Sequence, residues 1–297
     1  MEDKLKSCGL CPRQCGANRE IGQGACKSGN EIRIARAALH FWEEPPISGE
    51  RGSGTVFFTG CPLGCIYCQN REISQSAVPP GKTLSPEELS GVFFDLVEQG
   101  AHNINLVTPT HFMPLIREAL LCRKLPVPVV YNTSGYETVS ALRELEGLVD
   151  IYLPDFKYAD SALAKALSRA PDYPEICVAA IEEMVRQVGQ PVYEKDGMMK
   201  RGVLIRHLIL PGHTANSIAV LEEIARRFPG IPVSLMAQYT PPEEFPESEK
   251  YPELRRPITK REQQKVEDKL FALGLDGFVQ SRSAKGEQYL PDFHQFG

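Results

Sequence analysis

Three cysteines, Cys61, Cys65 and Cys68, lie in the stretch Thr59-Gly60-Cys61-Pro62-Leu63-Gly64-Cys65-Ile66-Tyr67-Cys68-Gln69-Asn70, spaced C-x3-C-x2-C. The apolar run Thr55-Val56-Phe57-Phe58 leads straight into them and reads as a short buried strand. Gly60, Pro62 and Gly64 keep the following backbone out of regular structure. The thiols therefore fall on a loop at a strand's C-terminal end. Three thiolates converging on a tight loop suit a soft metal centre, above all an iron–sulfur cluster. Three ligands for four irons leave one iron open, and an open position marks a reactive rather than a structural metal site. The competing readings are a zinc knuckle or buried thiols without a ligand.

A chain of 297 residues, 42% hydrophobic, is long enough for one large α/β domain and a small appendage. A net charge of −5 with interspersed signs and no long basic run argues against a nucleic-acid footprint. No apolar run approaches membrane-spanning length, and Met1-Glu2-Asp3-Lys4-Leu5-Lys6 lacks the apolar core of a signal peptide. The expected location is the cytoplasm, with neither membrane nor nucleic acid as partner. Seven of the nine cysteines fall in two knuckle-like groups. In a reducing compartment that pattern means metal ligands rather than disulfides.

The second group is Cys8, Cys11, Cys15 and Cys26, with C-x2-C and C-x3-C spacing followed by a later cysteine. Four thiols can close a separate metal site, zinc or iron–sulfur, and staple a segment too short to hold its own core. Residues 1–47 form this cysteine-rich segment and 48–297 the main domain. The alternating Glu31–Ala37 reads as a strand, and the Pro- and Gly-rich stretch Glu43–Gly54 as a loop near the boundary.

From Thr55 onward strands and helices alternate. Strands are expected at 103–107, 127–131, 149–153, 203–210 and 232–236, and helices at 85–100, 114–123, 139–145, 160–167, 175–188, 216–227 and 259–273. Ser85-Pro86-Glu87-Glu88 is a helix start with a capping serine, proline at the first position and acids in the first turn. Cys122 and Cys177 fall inside helical patterns and read as buried hydrophobes. Repeated βα units predict an α/β fold with a parallel, barrel-like sheet and helices outside. In such barrels functional residues gather at the C-terminal ends of the strands. The polar candidates there are Tyr67; Thr108, Thr110 and His111; Asn132; Asp155 and Lys157; Arg206 and His213; Gln238 and Tyr239.

The three-cysteine loop, with an aromatic before its last cysteine, resembles the radical S-adenosylmethionine (SAM) superfamily. Cys68-Gln69-Asn70 is similar to the branch containing the activating enzymes of pyruvate formate-lyase, most closely its PflX-type members. The N-terminal cysteines, Asn132-Thr133-Ser134-Gly135, Asp155-Phe156-Lys157, the Pro211-Gly212 turn and Met236–Pro241 extend the resemblance along nearly the whole chain. It implies an open, partial (β/α)6 barrel and a [4Fe-4S] cluster on Cys61, Cys65 and Cys68. It also implies SAM held near Tyr67, Thr108, Thr110, Asn132, Asp155, Lys157 and His213. Val107-Thr108-Pro109-Thr110 departs from the family's Gly-Gly-Glu stretch, and Asn132 stands where relatives carry an acid.

The activity so implied is reductive cleavage of SAM to methionine and a 5′-deoxyadenosyl radical that abstracts hydrogen from a substrate. The electron donor would be a small flavodoxin or ferredoxin, and the substrate a glycine on a partner enzyme. The alternatives are radical modification of another peptide or a small molecule, and a non-catalytic metal-binding interaction protein.

Overall fold

The computed structural model describes residues 6–242, 245, 248–280 and 293. Its strands in chain order are β1 (Ile32–His40), β2 (Ser53–Phe58), β3 (Lys82–Leu84), β4 (Ile104–Val107), β5 (Val129–Thr133), β6 (Ile151–Pro154), β7 (Val192–Tyr193), β8 (Met199–Val203), β9 (Ile205–Leu208), β10 (Val233–Met236) and β11 (Gly277–Gln280). Strands β2, β4, β5, β6 and β8 pair in that order, all parallel. Strands β9, β10 and β11 form a second parallel run. An Asp155–Arg206 bridge carries the wall from β6 to β9. Between β8 and β9 the Leu204 N–H still donates to the Tyr152 carbonyl at 3.0 Å. The strand expected at 203–210 is therefore one stretch of wall in two pieces. Six parallel positions, with β11 as an unexpected seventh, make an open arc that no pairing closes among the described residues.

Strand β1 lies antiparallel between β2 and β3 and covers the arc's first edge. The helices pack outside, and their starts follow the sequence chemistry. Ser85 and Glu88 form a capping box at the helix Pro86–Glu98, whose Leu89, Phe93 and Leu96 are buried. Thr259 and Glu262 do the same for Lys260–Ala272. Asp160 caps Ser161–Ser168 by accepting from the Ala162 and Leu163 amides. Cys177 is fully buried as expected, but Cys122 is exposed. It ends the helix Met113–Cys122 on its outer face, with its thiol turned back to the Glu118 carbonyl at 3.3 Å.

Successive side chains on a strand alternate between the helices and the interior. Inside, Val130, Ile151, Leu153, Met199 and Leu204 make an apolar floor with Ile47 inserted among them. Ile47 belongs to the short helix Pro45–Ser48, which plugs that end. Above the floor the inward positions turn polar, and it is this layer that faces the cysteine loop.

Candidate active site

Just past β2, Gly60 takes a left-handed conformation (φ 80°), and a Cβ there would lie 2.2 Å from the Ser28 hydroxyl and 2.5 Å from the Cys26 carbonyl. Only glycine allows the N-terminal segment to press this close to the cysteine loop. The contact is reinforced on both sides. The Cys61 N–H donates to the Cys26 carbonyl at 3.0 Å, and the Ser28 hydroxyl donates to the Thr59 carbonyl. The Arg13 guanidinium donates to the carbonyls of Pro62 (2.8 Å), Leu63 (2.9 Å), Ser168 (2.6 Å) and Arg169 (2.5 Å). Arg19, almost wholly buried, donates to the Gly29 and His111 carbonyls.

Burial and the neighbouring thiols push Cys61 up to about 12, and burial raises Cys68. Burial of this kind keeps a thiol protonated unless a cation is bound beside it. Hydroxyls already face the sulfurs: Ser168 donates to Cys65 at 3.0 Å and Ser74 to Cys68 at 3.4 Å. Tyr158 stands 4.0 Å from the Cys65 sulfur and bonds both Ser168 and Tyr67. Hydrogen bonds to sulfur are a standard means of tuning an iron–sulfur centre. The donor set therefore fits the [4Fe-4S] group.

The N-terminal thiols are neighbours too. Burial pushes Cys11 up to about 12, with Cys26 and Cys8 adding to it, and the free Cys8 thiol helps to lower Cys15. Among the described residues no three His, Cys, Asp or Glu side chains stand as a set that could hold a single metal ion. Cysteines that take separate corners of a cluster sit wider apart than ligands of one ion.

The polar layer begins at the strand-end pair. Lys157 Nζ lies 2.5 Å from Asp155 Oδ2, and Arg206 Nε lies 2.9 Å from Asp155 Oδ1. Burial acts to raise Asp155, but these two cations outweigh it and the carboxyl falls below its ordinary value. Lys157 also lies close enough to Cys68 to favour its thiolate. Asn132 accepts from Arg206 at 2.6 Å.

Glu43 and Glu44 were not foreseen as part of this layer. Glu43 bonds Arg206 (3.2 Å) and Asn132 (3.4 Å). Asn105 and Ser234, also unforeseen, stand beside Glu43 and Glu44. An acidic pair directly before Pro45-Pro46 was the available signal: a residue preceding proline is held extended, so its side chain is aimed.

The remaining candidates separate. Tyr67 is buried, with its hydroxyl on Tyr158 (2.8 Å) and its ring edge-on to Tyr239. Thr108 holds φ 60°, a strained state for a β-branched residue, at the mouth of β4. The Thr110 hydroxyl is taken by Glu137 at 2.5 Å. His111 is buried against the Thr59 carbonyl, and burial lowers it to about 3, so it is neutral. His213 faces Glu253 (3.2 Å), away from Asp155 and Lys157 in its bonding. Gln238 bonds Gln280 of β11.

Among known proteins, the chain is 29% identical over 272 residues to an uncharacterized protein of Methanocaldococcus jannaschii, covering 88% of this chain and 73% of that one. In fold it is similar to a radical SAM methyltransferase from Sphaerobacter thermophilus (17% identity, TM-score 0.54), over 77% of this chain and 66% of that one. It is also similar to Streptococcus suis SuiB bound to precursor peptide SuiA (14% identity, TM-score 0.51), over 74% of this chain and 46% of that one. The chain thus spans under two thirds of either solved structure. The family model of the radical SAM superfamily matches residues 55–225, from the strand before the cysteine loop into the helix Thr214–Arg227 after β9. That match covers more than half of the sequence: the chain belongs to the radical SAM superfamily, a membership that implies a [4Fe-4S] cluster and SAM.

Proposed function

We propose that this chain is a radical SAM enzyme that works on its substrate inside the open barrel, with the cluster on Cys61, Cys65 and Cys68. The observation that carries it is the meeting of the cysteine loop with the polar layer at Lys157, which touches Asp155 and influences Cys68. Cluster and SAM together supply one-electron reductive cleavage and the hydrogen abstraction that follows. The chain's own residues hold, orient and shield. Lys157 receives the SAM carboxylate, Asp155 and Asn132 receive ribose hydroxyls, and Tyr67 lies against the adenine. Thr108 sets the backbone that meets the amino group. Thr110 and His213, committed to Glu137 and Glu253, receive no part of SAM. The apolar floor around Ile47 keeps water from the reacting centre.

The finer reading is activation of a partner enzyme by a glycyl radical, supported by Cys68-Gln69-Asn70 and the strand-end motifs. A second reading, modification of another peptide, is favoured by the likeness to SuiB, solved with its precursor peptide. A flavodoxin or ferredoxin serves as reductant in both. Cys8, Cys11, Cys15 and Cys26 hold a second metal centre, zinc or iron–sulfur, of which the wider spacing of these thiols favours iron–sulfur.

The test is alanine replacement of Cys61, Cys65 and Cys68, singly and together, with iron, sulfide and 5′-deoxyadenosine measured anaerobically. Each single variant loses the reduced-cluster signal and the product. A triple variant that still cleaves SAM overturns the proposal.

A further inference from the structure

Five ionisable side chains share the polar layer: Glu43, Glu44 and Asp155 against Lys157 and Arg206. Asp155 takes both cations, and the second carboxylate on Arg206 is Glu43. Glu44 is the acid left over. It is 1% exposed, its Oε1 accepts from the Gln280 amide at 3.5 Å, and among the described residues its Oε2 has no hydrogen-bond partner. Arg206 is the cation that acts on Glu44, but it already bonds Asp155 and Glu43, and burial outweighs its pull and pushes Glu44 upward.

Its surroundings are unfinished in the same sense. Among the described residues, the Ser234 hydroxyl beside Glu44 and the oxygen and nitrogen of the Asn105 amide beside Glu43 have no partner in hydrogen-bonding geometry, and both residues are fully buried. The Gln238 carbonyl oxygen is likewise unpaired. Most of these unmet atoms are acceptors, so the missing ligand is rich in donors. The dipeptide is also fixed in place. The Glu44 carbonyl caps the helix Pro45–Ser48 by accepting from the Ile47 N–H at 2.8 Å, and the Glu43 N–H donates to the Ser48 hydroxyl at 2.9 Å.

We infer that the substrate carries a cationic nitrogen, a primary ammonium or a guanidinium, which Glu44 receives with Ser234 and Asn105 beside it; the inference rests on the barrel being the substrate chamber. The test uses full-length, cluster-reconstituted protein saturated with SAM, titrated calorimetrically with cadaverine and agmatine. The diol 1,5-pentanediol and the diacid glutarate are the matched controls. The amines bind at least about tenfold more tightly than the diol. Glu44→Gln removes that preference while keeping its iron content, its SAM titration and a melting temperature no lower than wild type. Equal binding of amine and diol, or tightest binding of the diacid, overturns the inference. So does amine binding to SAM-free protein that is lost once SAM is added, which would make Glu44 a SAM contact, or a fall in melting temperature of the variant, which would make it a structural acid. Failure of SAM itself to bind, read in a separate titration, counts against the proposed enzyme instead.

Discussion

The Cys61 N–H donates to the Cys26 carbonyl at 3.0 Å, so the first cysteine of the cluster loop and the last of the N-terminal group are one hydrogen bond apart. Two cysteine groups that look like separate modules in sequence are one body in the fold, with Arg13 and Gly60 as further seams.

Arg13 therefore supports the cluster loop without touching a thiol. Arg13→Ala breaks its donations to Pro62, Leu63, Ser168 and Arg169, destabilising the chain by roughly 2–3 kcal/mol. Iron leaves the variant faster under chelator challenge, and the denaturant midpoint falls. Arg13→Lys does not restore either, because an ammonium lacks the planar fork that spans several carbonyls.

The N-terminal metal is tested with the paired replacement of Cys8 and Cys11 by serine. Truncation before Phe41 is unsuitable, since it removes β1 from between β2 and β3. Metal analysis of the paired variant shows the N-terminal complement lost while SAM still binds. Unchanged stoichiometry means that no metal sits there.

Lys157 and Asp155 differ in what their loss exposes. Lys157→Ala keeps its iron but loses a charge-assisted bond worth ~1.5–3 kcal/mol, so SAM binds roughly ten- to a hundred-fold more weakly in a spectroscopic titration. Asp155→Asn withdraws the partner of two buried cations at once. It lowers stability as well as SAM affinity, by about 3–5 kcal/mol in a denaturant melt.

Glu137 gives a pH signature. It is buried, accepts from Thr110 and Thr133, and burial pushes it up to about 7. The folded chain holds this proton more tightly than the unfolded chain. The stabilisation is complete below the ordinary glutamate range and is lost as pH rises through about 7. Its size is on the order of 3 kcal/mol. Urea midpoints of wild type and Glu137→Gln, compared between about pH 5 and pH 8, diverge in this sense, with the variant flatter. Parallel curves would show that Glu137 keeps an ordinary affinity for protons.

The cluster loop was legible because its chemistry is local: a strand, the loop glycines Gly60 and Gly64, and three thiols all lie between Ser53 and Cys68. Asn132, Asp155, Lys157 and Arg206 were legible as strand-end residues, since the period of the βα unit locates the mouth of the barrel before any contact is known. Glu43 and Glu44 were not. They precede the first parallel strand, and Glu43 meets Arg206 163 residues later, a pairing that no local pattern carries. Strand β11 was missed because Gly277–Gln280 is four residues long and takes its stability from alignment on β10 rather than from its own periodicity. Glu137 was not legible because it follows β5 in a turn and meets Thr110 across 27 residues, a contact that no local pattern carries.

The grip of Arg13 on Ser168 spans 155 residues of chain. A ribosome moving at about 5–20 residues per second separates the two by roughly ten to thirty seconds. For the later part of it the three thiols are already made: Cys65 precedes Ser168, whose hydroxyl bonds it, by 103 residues, roughly five to twenty seconds of synthesis. The loop that carries Cys61, Cys65 and Cys68 is thus complete well before the Ser168 and Arg169 carbonyls that share Arg13 with it, so its last fastening waits on chain that follows it.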